Sequence, residues 1–478
     1  MKRRINILFF VGALIFVLTG CGADNENHGL SVENPQKISV WNYYNGTQAV
    51  AFENMVNQFN AGIGKEKGII VTAVCKGSVD ELSNALFASI YKEVGAEELP
   101  NIIQCYKDTA ITLDDMQLLV NLDTYVGEGE KALYVDSFIE QGLLGKEKEW
   151  KLFPIAKSTE VMVLNKQEWE SFARDTGTST EELRTWEGLA KAAEKYYNWS
   201  SGKAFFGRDS FATYLLTGST ELGHPICVEA EDGKVHIELD KETMRILWDN
   251  YYIPYIKGYY EHTGKFRTDD IKLGKIAAAV NSSTGCAYFP TEESFENQEP
   301  YPIDCMVLPI PYFKGTECYV SQQGADMAVL SGTESQEYAS IVFLEWFTRP
   351  EQNIEFAVQT GYLPVAREAC DASVLEKRIK ETNTDLGNID IEVLKTALNE
   401  LAENKVYETL EFEESFEVRG LLNRTMLEDA TADCKSIEEK MASGLTREEA
   451  MQPYLGEERF EKWYQELKEA MDIIMGEQ

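Results

Sequence analysis

The chain holds many side chains able to do chemistry, but few are spaced to do it together. Its four histidines, His28, His224, His236 and His262, are far apart. No H-E-x-x-H pair, close His/Asp ligand set or Walker A loop occurs, so the reading expects no metal and no cofactor. No G-x-S-x-G elbow supplies an activated serine. Carboxylates abound, with 80 Asp and Glu against 45 Lys and Arg. Two of them would suffice for glycoside hydrolysis, so a glycosidase is the enzymatic alternative. Nothing singles out such a pair, and the excess reads as solvated surface. What remains is non-covalent recognition. Trp41, Tyr43 and Tyr44, interleaved with Asn42 and Asn45, set aromatic faces beside amides.

The formal charge is −35. It becomes −38 on loss of residues 1–20, which carry Lys2, Arg3, Arg4 and no acid. Such a surface repels nucleic acid and anionic headgroups. At 478 residues with 44% hydrophobic content, the chain can build two or three domains with sizeable cores. Eight cysteines besides Cys21 are scattered, with no C-x-x-C pair, and several lie in apolar runs where a thiol acts as a small hydrophobe. Such surroundings favour thiols, and pairing itself is not written in the spacing.

The basic start is followed by an apolar stretch from Ile5 to Leu18, a secretory pattern too short to span a bilayer well. It closes on Leu18-Thr19-Gly20-Cys21, which resembles the lipobox of bacterial lipoproteins. The resemblance implies that Cys21 is diacylated, with acyl chains such as palmitate, and that the mature chain is anchored on the outer face of the cell membrane. Residues 1–20 are then signal peptide, and 21–36 a flexible spacer.

From residue 37 the pattern becomes periodic. Strand-like runs at 37–43, 69–74 and 101–106 alternate with two helices. Thr47 is placed to cap the first, whose apolar residues are Phe52, Met55, Val56 and Phe59. The second opens on a capping box at Ser78 and Glu81. This order predicts an α/β domain with a largely parallel sheet. Further strands are expected at 160–164, 275–280, 304–308 and 325–330. Thr185 caps one later helix, and Pro350 opens another that ends at Gly361. The acidic chain beyond residue 385 reads as helical.

Several blocks together resemble the extracellular solute-binding protein family of carbohydrate ABC transporters. They include residues 39–44, Pro100-Asn101-Ile102 with Tyr106, residues 154–160, Asn281-Ser282-Ser283-Thr284-Gly285, Gly324-Ala325-Asp326 and residues 361–365. The resemblance implies two discontinuous α/β lobes, hinge strands and a central cleft that closes on its ligand. The lobes divide as 37–152, 153–300 (second lobe), 301–348 (return to the first) and 349–478 (second lobe and helical tail). It also implies a monomer that captures a sugar or sugar-phosphate for ABC permease subunits. A lipoprotein sensor for a membrane kinase would use the same closed form.

On that resemblance, Trp41, Tyr43 and Tyr44 face the cleft, although a strand-end aromatic equally suits a core. Tyr106 and Asp108 flank the third strand's end, where Asp108 could instead cap a helix. Ser158, Thr159, Ser282 and Ser283 are ligand contacts or turn hydroxyls. Gly324 permits close backbone approach, and Tyr362 sits in cleft or core. Residues 417–421, Glu-Val-Arg-Gly-Leu, resemble the glycerol-3-phosphate-binding branch, which implies that Arg419 reads a phosphate. The alternative partner of Arg419 is Glu413 or Glu414. The chain departs from that branch at Val79 and Lys107, and Arg208 and Phe211 stand where the branch has tryptophans; Phe211 is kept as a ligand candidate. Cys21→Ala is expected to release the protein from the membrane fraction without changing its fold or ligand affinity. Release accompanied by lost affinity would contradict a separate tether.

Overall fold

The computed structural model describes residues 27–476, apart from 231–233, 295–298, 325, 383–390, 408, 411 and 413. Cys21 therefore lies outside the described residues. Residues 27–35, expected as spacer, lie against the first lobe: Leu30 is buried, and His28 Nδ1 sits 2.8 Å from Glu334 Oε1.

The first sheet grows from β-α-β units. Strand Gln36–Asn42 pairs in parallel with Ile69–Cys75 on one side and Ile102–Cys105 on the other. Helix Gly46–Ala61 buries Phe52, Met55, Val56 and Phe59, the apolar stripe read from the sequence. It begins two residues earlier than expected, with Asn45 as N-cap, so Thr47 lies inside its first turn. The Asn60 side chain bonds both the N–H and the carbonyl of Val71, which fixes helix to strand. Helix Val79–Ile90 opens on the Ser78/Glu81 capping box. Strands Asp326–Val329 and Leu152–Phe153 complete the sheet in antiparallel sense.

The second sheet has the order Cys305–Leu308, Glu160–Asn165, Ala278–Ser282, Phe206–Arg208. Only its last pair is parallel. Because Cys305–Leu308 pairs with Glu160–Asn165, the chain stays on the second lobe past residue 301, where a return to the first had been expected. It returns at 322–324. Likewise helix Pro350–Thr360 packs on Gly46–Ala61, so the last crossing comes at 361–366, not 349. The expected acidic tail is no appendage. Helices Ser415–Ala442 and Glu457–Ile474 bury Val418, Leu422, Met426, Phe460, Trp463 and Leu467 in the second lobe's core.

Three crossings join the lobes: 154–159, 322–324 and 361–366. They are zipped together. Lys157 and Leu363 exchange backbone bonds of 3.1 and 2.5 Å, and Ser158 and Gln323 exchange bonds of 2.9 and 2.8 Å. Buried backbone groups must pair, and here each crossing satisfies its neighbour. Gly324 makes the approach possible. Its φ is +105°, and a Cβ there would sit 2.6 Å from the Ala156 carbonyl oxygen. Both facts exclude a side chain. Gly444 has a similar φ of +106° with open space around it. Gly444→Ala is expected to lose about 1–2 kcal/mol in urea unfolding, and Gly324→Ala a further ~1–3 kcal/mol from the clash. Equal losses would show that the close approach is not structural.

Candidate functional site

Both sheets aim the same kind of edge at the crossings. In the first, these are the C-terminal ends at Asn42 and Cys105 and the start of the antiparallel strand at Asp326. In the second they are Glu160, Ser282 and Arg208. The loops that follow these ends carry the candidate residues.

On the first lobe, Tyr43 and Tyr106 form a near-parallel pair with ring centroids 6.2 Å apart, and Tyr106 is 42% exposed. Burial, then the neighbouring phenols of Tyr106 and Tyr362, push the Tyr43 hydroxyl well above its ordinary pKa. It therefore stays a neutral donor. Tyr362 is buried, stacked on Phe356 and edge-on to Tyr44. Asp108 is partly exposed in the first turn of helix Lys107–Asp115, where its carboxylate accepts the Thr109 N–H at 2.5 Å. Tyr106, not Asp108, is the N-cap.

Three aromatic candidates are core. Trp41 is 2% exposed, with Lys76 Nζ 3.9 Å from its ring centroid. Tyr44 has no exposed surface and packs on Phe52, Phe356 and Tyr362. Phe211 packs against Tyr214 and Tyr251. Layers on both faces of each sheet bury strand-end residues that would otherwise line a cleft.

At the junction the small hydroxyl residues converge. Ser283 N–H donates to the Thr159 carbonyl at 2.7 Å, and both residues are fully buried. The hydroxyls of Thr159 and Ser283 are left without protein partners. Ser158 is buried and spends its backbone on Gln323, whereas the Ser282 hydroxyl, half-buried, meets Thr284 at 3.0 Å. Gly361, at φ +74°, brings the last crossing against this point: a Cβ on it would fall 2.9 Å from the Ser283 carbonyl oxygen. Gly324 belongs to the crossing zipper described above.

Arg419, half-buried on helix Ser415–Ala442, donates to the hydroxyls of Ser210 and Thr213, both at 3.3 Å. Both bonds are to neutral groups, and neither partner is Glu414; Glu413 lies outside the described residues. Beside it, Arg208 Nη2 lies 2.6 Å from Glu160 Oε1, both groups buried. Burial pushes the Glu160 carboxyl up, while Arg208 and then Arg419 hold it down. Asp209 accepts from Asn281 at 2.8 Å and from Arg267.

Sequence reasoning missed Asp209, Ser210, Thr213, Asn281 and Tyr288. An Asp-Ser pair ahead of the apolar run Phe211–Glu221 was an available signal for a helix start. Ser210 sits at φ +46°, a costly conformation for a non-glycine residue. Tyr288, 54% exposed on the second lobe, carries no periodic signature. Its hydroxyl comes within 3.8 Å of where a side chain at Gly46 of the first lobe would begin. Among the described residues no group of three or more His, Cys, Asp and Glu is placed to hold a metal ion, and no helix is long and apolar enough to cross a membrane. The seven described cysteines besides Cys21 and Cys286 carry thiols.

Residues 54–382 match the model of a family described as bacterial extracellular solute-binding protein. No curated protein matches the sequence. Among solved structures, UgpB from Mycobacterium tuberculosis in complex with glycerophosphocholine is similar at TM-score 0.67 and 16% identity, over 93% of this chain and 99% of that one. The cyclic alpha-maltosyl-1,6-maltose binding protein from Arthrobacter globiformis gives 0.64 and 16%, over 92% and 99%. The Thermus thermophilus maltotriose binding protein gives 0.56 and 12%, over 92% and 100%. At these identities the likeness is one of fold.

Removing one partner of a buried ion pair leaves the other charge uncompensated. Arg208→Met should therefore destabilise the protein by about 3–5 kcal/mol, and adding Glu160→Gln should recover part of that. Urea unfolding of the single and double variants checks this; a single variant as stable as wild type would remove the pair's structural role.

Proposed function

The chain belongs to the bacterial extracellular solute-binding protein family, and from that premise we propose that its cleft captures a sugar or sugar-phosphate and delivers it to the permease of an ABC importer. The observation that carries the ligand class is the junction between the lobes, where the buried Thr159 and Ser283 hydroxyls have no protein partner. Buried hydroxyls are normally satisfied, and a polyhydroxylated ligand supplies what they lack. The Tyr43–Tyr106 pair offers faces for sugar C–H groups, with Asp108 beside it as an acceptor. Arg419, held by neutral hydroxyls, keeps guanidinium donors for an anion. The Ser210-Phe211 turn beside it opens a helix of 11 residues. UgpB, the neighbour solved with glycerophosphocholine, supports a phosphate-bearing ligand, and the two maltose-type neighbours support a sugar.

The protein performs no covalent chemistry. Ligand bridging both lobes favours the closed form, which the permease then meets. Lipidation at Cys21 keeps the body on the outer face of the membrane.

Thermal denaturation of the chain from residue 22, against maltose, maltotriose, glycerol 3-phosphate and glycerophosphocholine, tests the ligand class. One member at about 100 times its Kd is expected to add ~2.7 kcal/mol of stability. No response to any of them would overturn the carbohydrate reading. If the responder carries a phosphate, Arg419→Ala should weaken it by about tenfold or more, the scale of a lost charge-assisted bond. Unchanged affinity would remove Arg419 from the site.

A further inference from the structure

Lys157 stands at the centre of the three crossings, and its side chain is buried completely. Its ammonium lies 2.7 and 2.8 Å from the two carboxylate oxygens of Asp326 and 2.6 Å from Gln141 Oε1. Gln141 Oε1 also accepts from Gln322 Nε2 at 2.7 Å. One cation therefore ties the first crossing to Asp326, just past the second, and to the first-lobe helix Asp136–Gln141, whose Gln141 in turn holds Gln322 of the second crossing. The Phe138 ring, 6.0 Å away, closes the pocket on that helix.

Hydrophobic contacts alone would hold these segments together, and replacing a buried ion pair by apolar groups is often neutral for stability. An apolar contact is non-directional and lets packed segments slide. An ammonium bonded to two fixed acceptors, Asp326 Oδ2 and Gln141 Oε1, and ion-paired with the same carboxylate defines one angle between the segments it joins. The two ends of this network also touch the site: Ser158 and Thr159 follow Lys157 in the chain, and Asp326 bears electrostatically on Tyr44, beneath the tyrosine cluster.

We infer that Lys157 and Asp326 are positioning residues that fix the angle between the lobes and so set ligand affinity without touching ligand. This rests on the capture reading above. A looser hinge populates the binding-competent geometry less, and apparent affinity falls by that fraction.

The test is the paired variant Lys157→Met/Asp326→Leu, which removes both charges together, with Gln141→Met as the milder change that leaves the ion pair intact. Small-angle scattering of the ligand-free protein is expected to show a broader distribution of lobe separations, at a melting temperature close to wild type. Affinity for whichever of maltose or glycerophosphocholine stabilises the wild type should fall about fivefold or more. Wild-type scattering with affinity within about twofold in both variants would overturn the inference. Should the paired variant not fold, Gln141→Met decides it by the same two readings. A wild type that binds neither probe overturns the capture reading instead, and the scattering comparison, which uses no ligand, still judges the hinge.

Discussion

The strand-like zipper of the three crossings is the constraint on which the rest of the molecule depends. Lys157 and Ser158 lie between Leu363 on one side and Gln323 on the other, with backbone bonds to both. A segment passing between two cores cannot leave its amides dry and unpaired. The crossings therefore run side by side, and glycine is needed where one backbone presses on another, at Gly324 and Gly361. Once they are joined, the orientation of both sheets follows. Each sheet points the ends that carry loops toward the crossings, and a site assembled from those loops lies where the lobes meet.

Two buried ion pairs flank this junction, Lys157–Asp326 and Arg208–Glu160. In a low-dielectric setting a charge survives only with its partner in place, so both pairs demand one arrangement of the segments that carry them. Many of the remaining carboxylates are exposed and need no such partners because water solvates them, whereas the buried Asp270 has Arg267 and the buried Glu293 has Lys203. The strongly acidic composition thus describes mainly the outer surface, while the few basic groups drawn inward (Lys151, Lys157, Arg208, Arg267) hold the architecture and Arg419 stays half-buried beside neutral hydroxyls.

A capture protein must gain its closing energy from contacts made to both lobes at once. The residues proposed for this role divide in that way. The first lobe contributes aromatic faces at Tyr43 and Tyr106. The second contributes Ser283, Tyr288 and the Ser210, Thr213 and Arg419 group, and Thr159 belongs to the crossing itself. The Tyr288 hydroxyl also reaches from the second lobe to within 3.8 Å of where a side chain at Gly46 would begin.

Much of this was legible in the chain before folding. The alternation of strands and helices, the capping box at Ser78, the cap at Thr185 and the Gly361 stop are local features, set by hydrogen bonds and backbone preferences within a few residues. The hydroxyl runs at 158–159 and 282–283 were visible as well. The lobe boundaries were not, because a strand's sequence does not say which sheet receives it: Cys305–Leu308 reads the same on either lobe. Nor was the fate of the aromatics. Trp41 and Phe211 share the composition of ligand-binding residues, yet whether such a side chain is covered depends on the layer packed over it, which comes from distant segments. The partners of Arg419 are likewise some 206 to 209 residues away in the chain. Sequence alone determined the elements and the kinds of groups available; the tertiary structure decided which of them meet, because burial and pairing are properties of contacts between segments that the chain brings together only on folding.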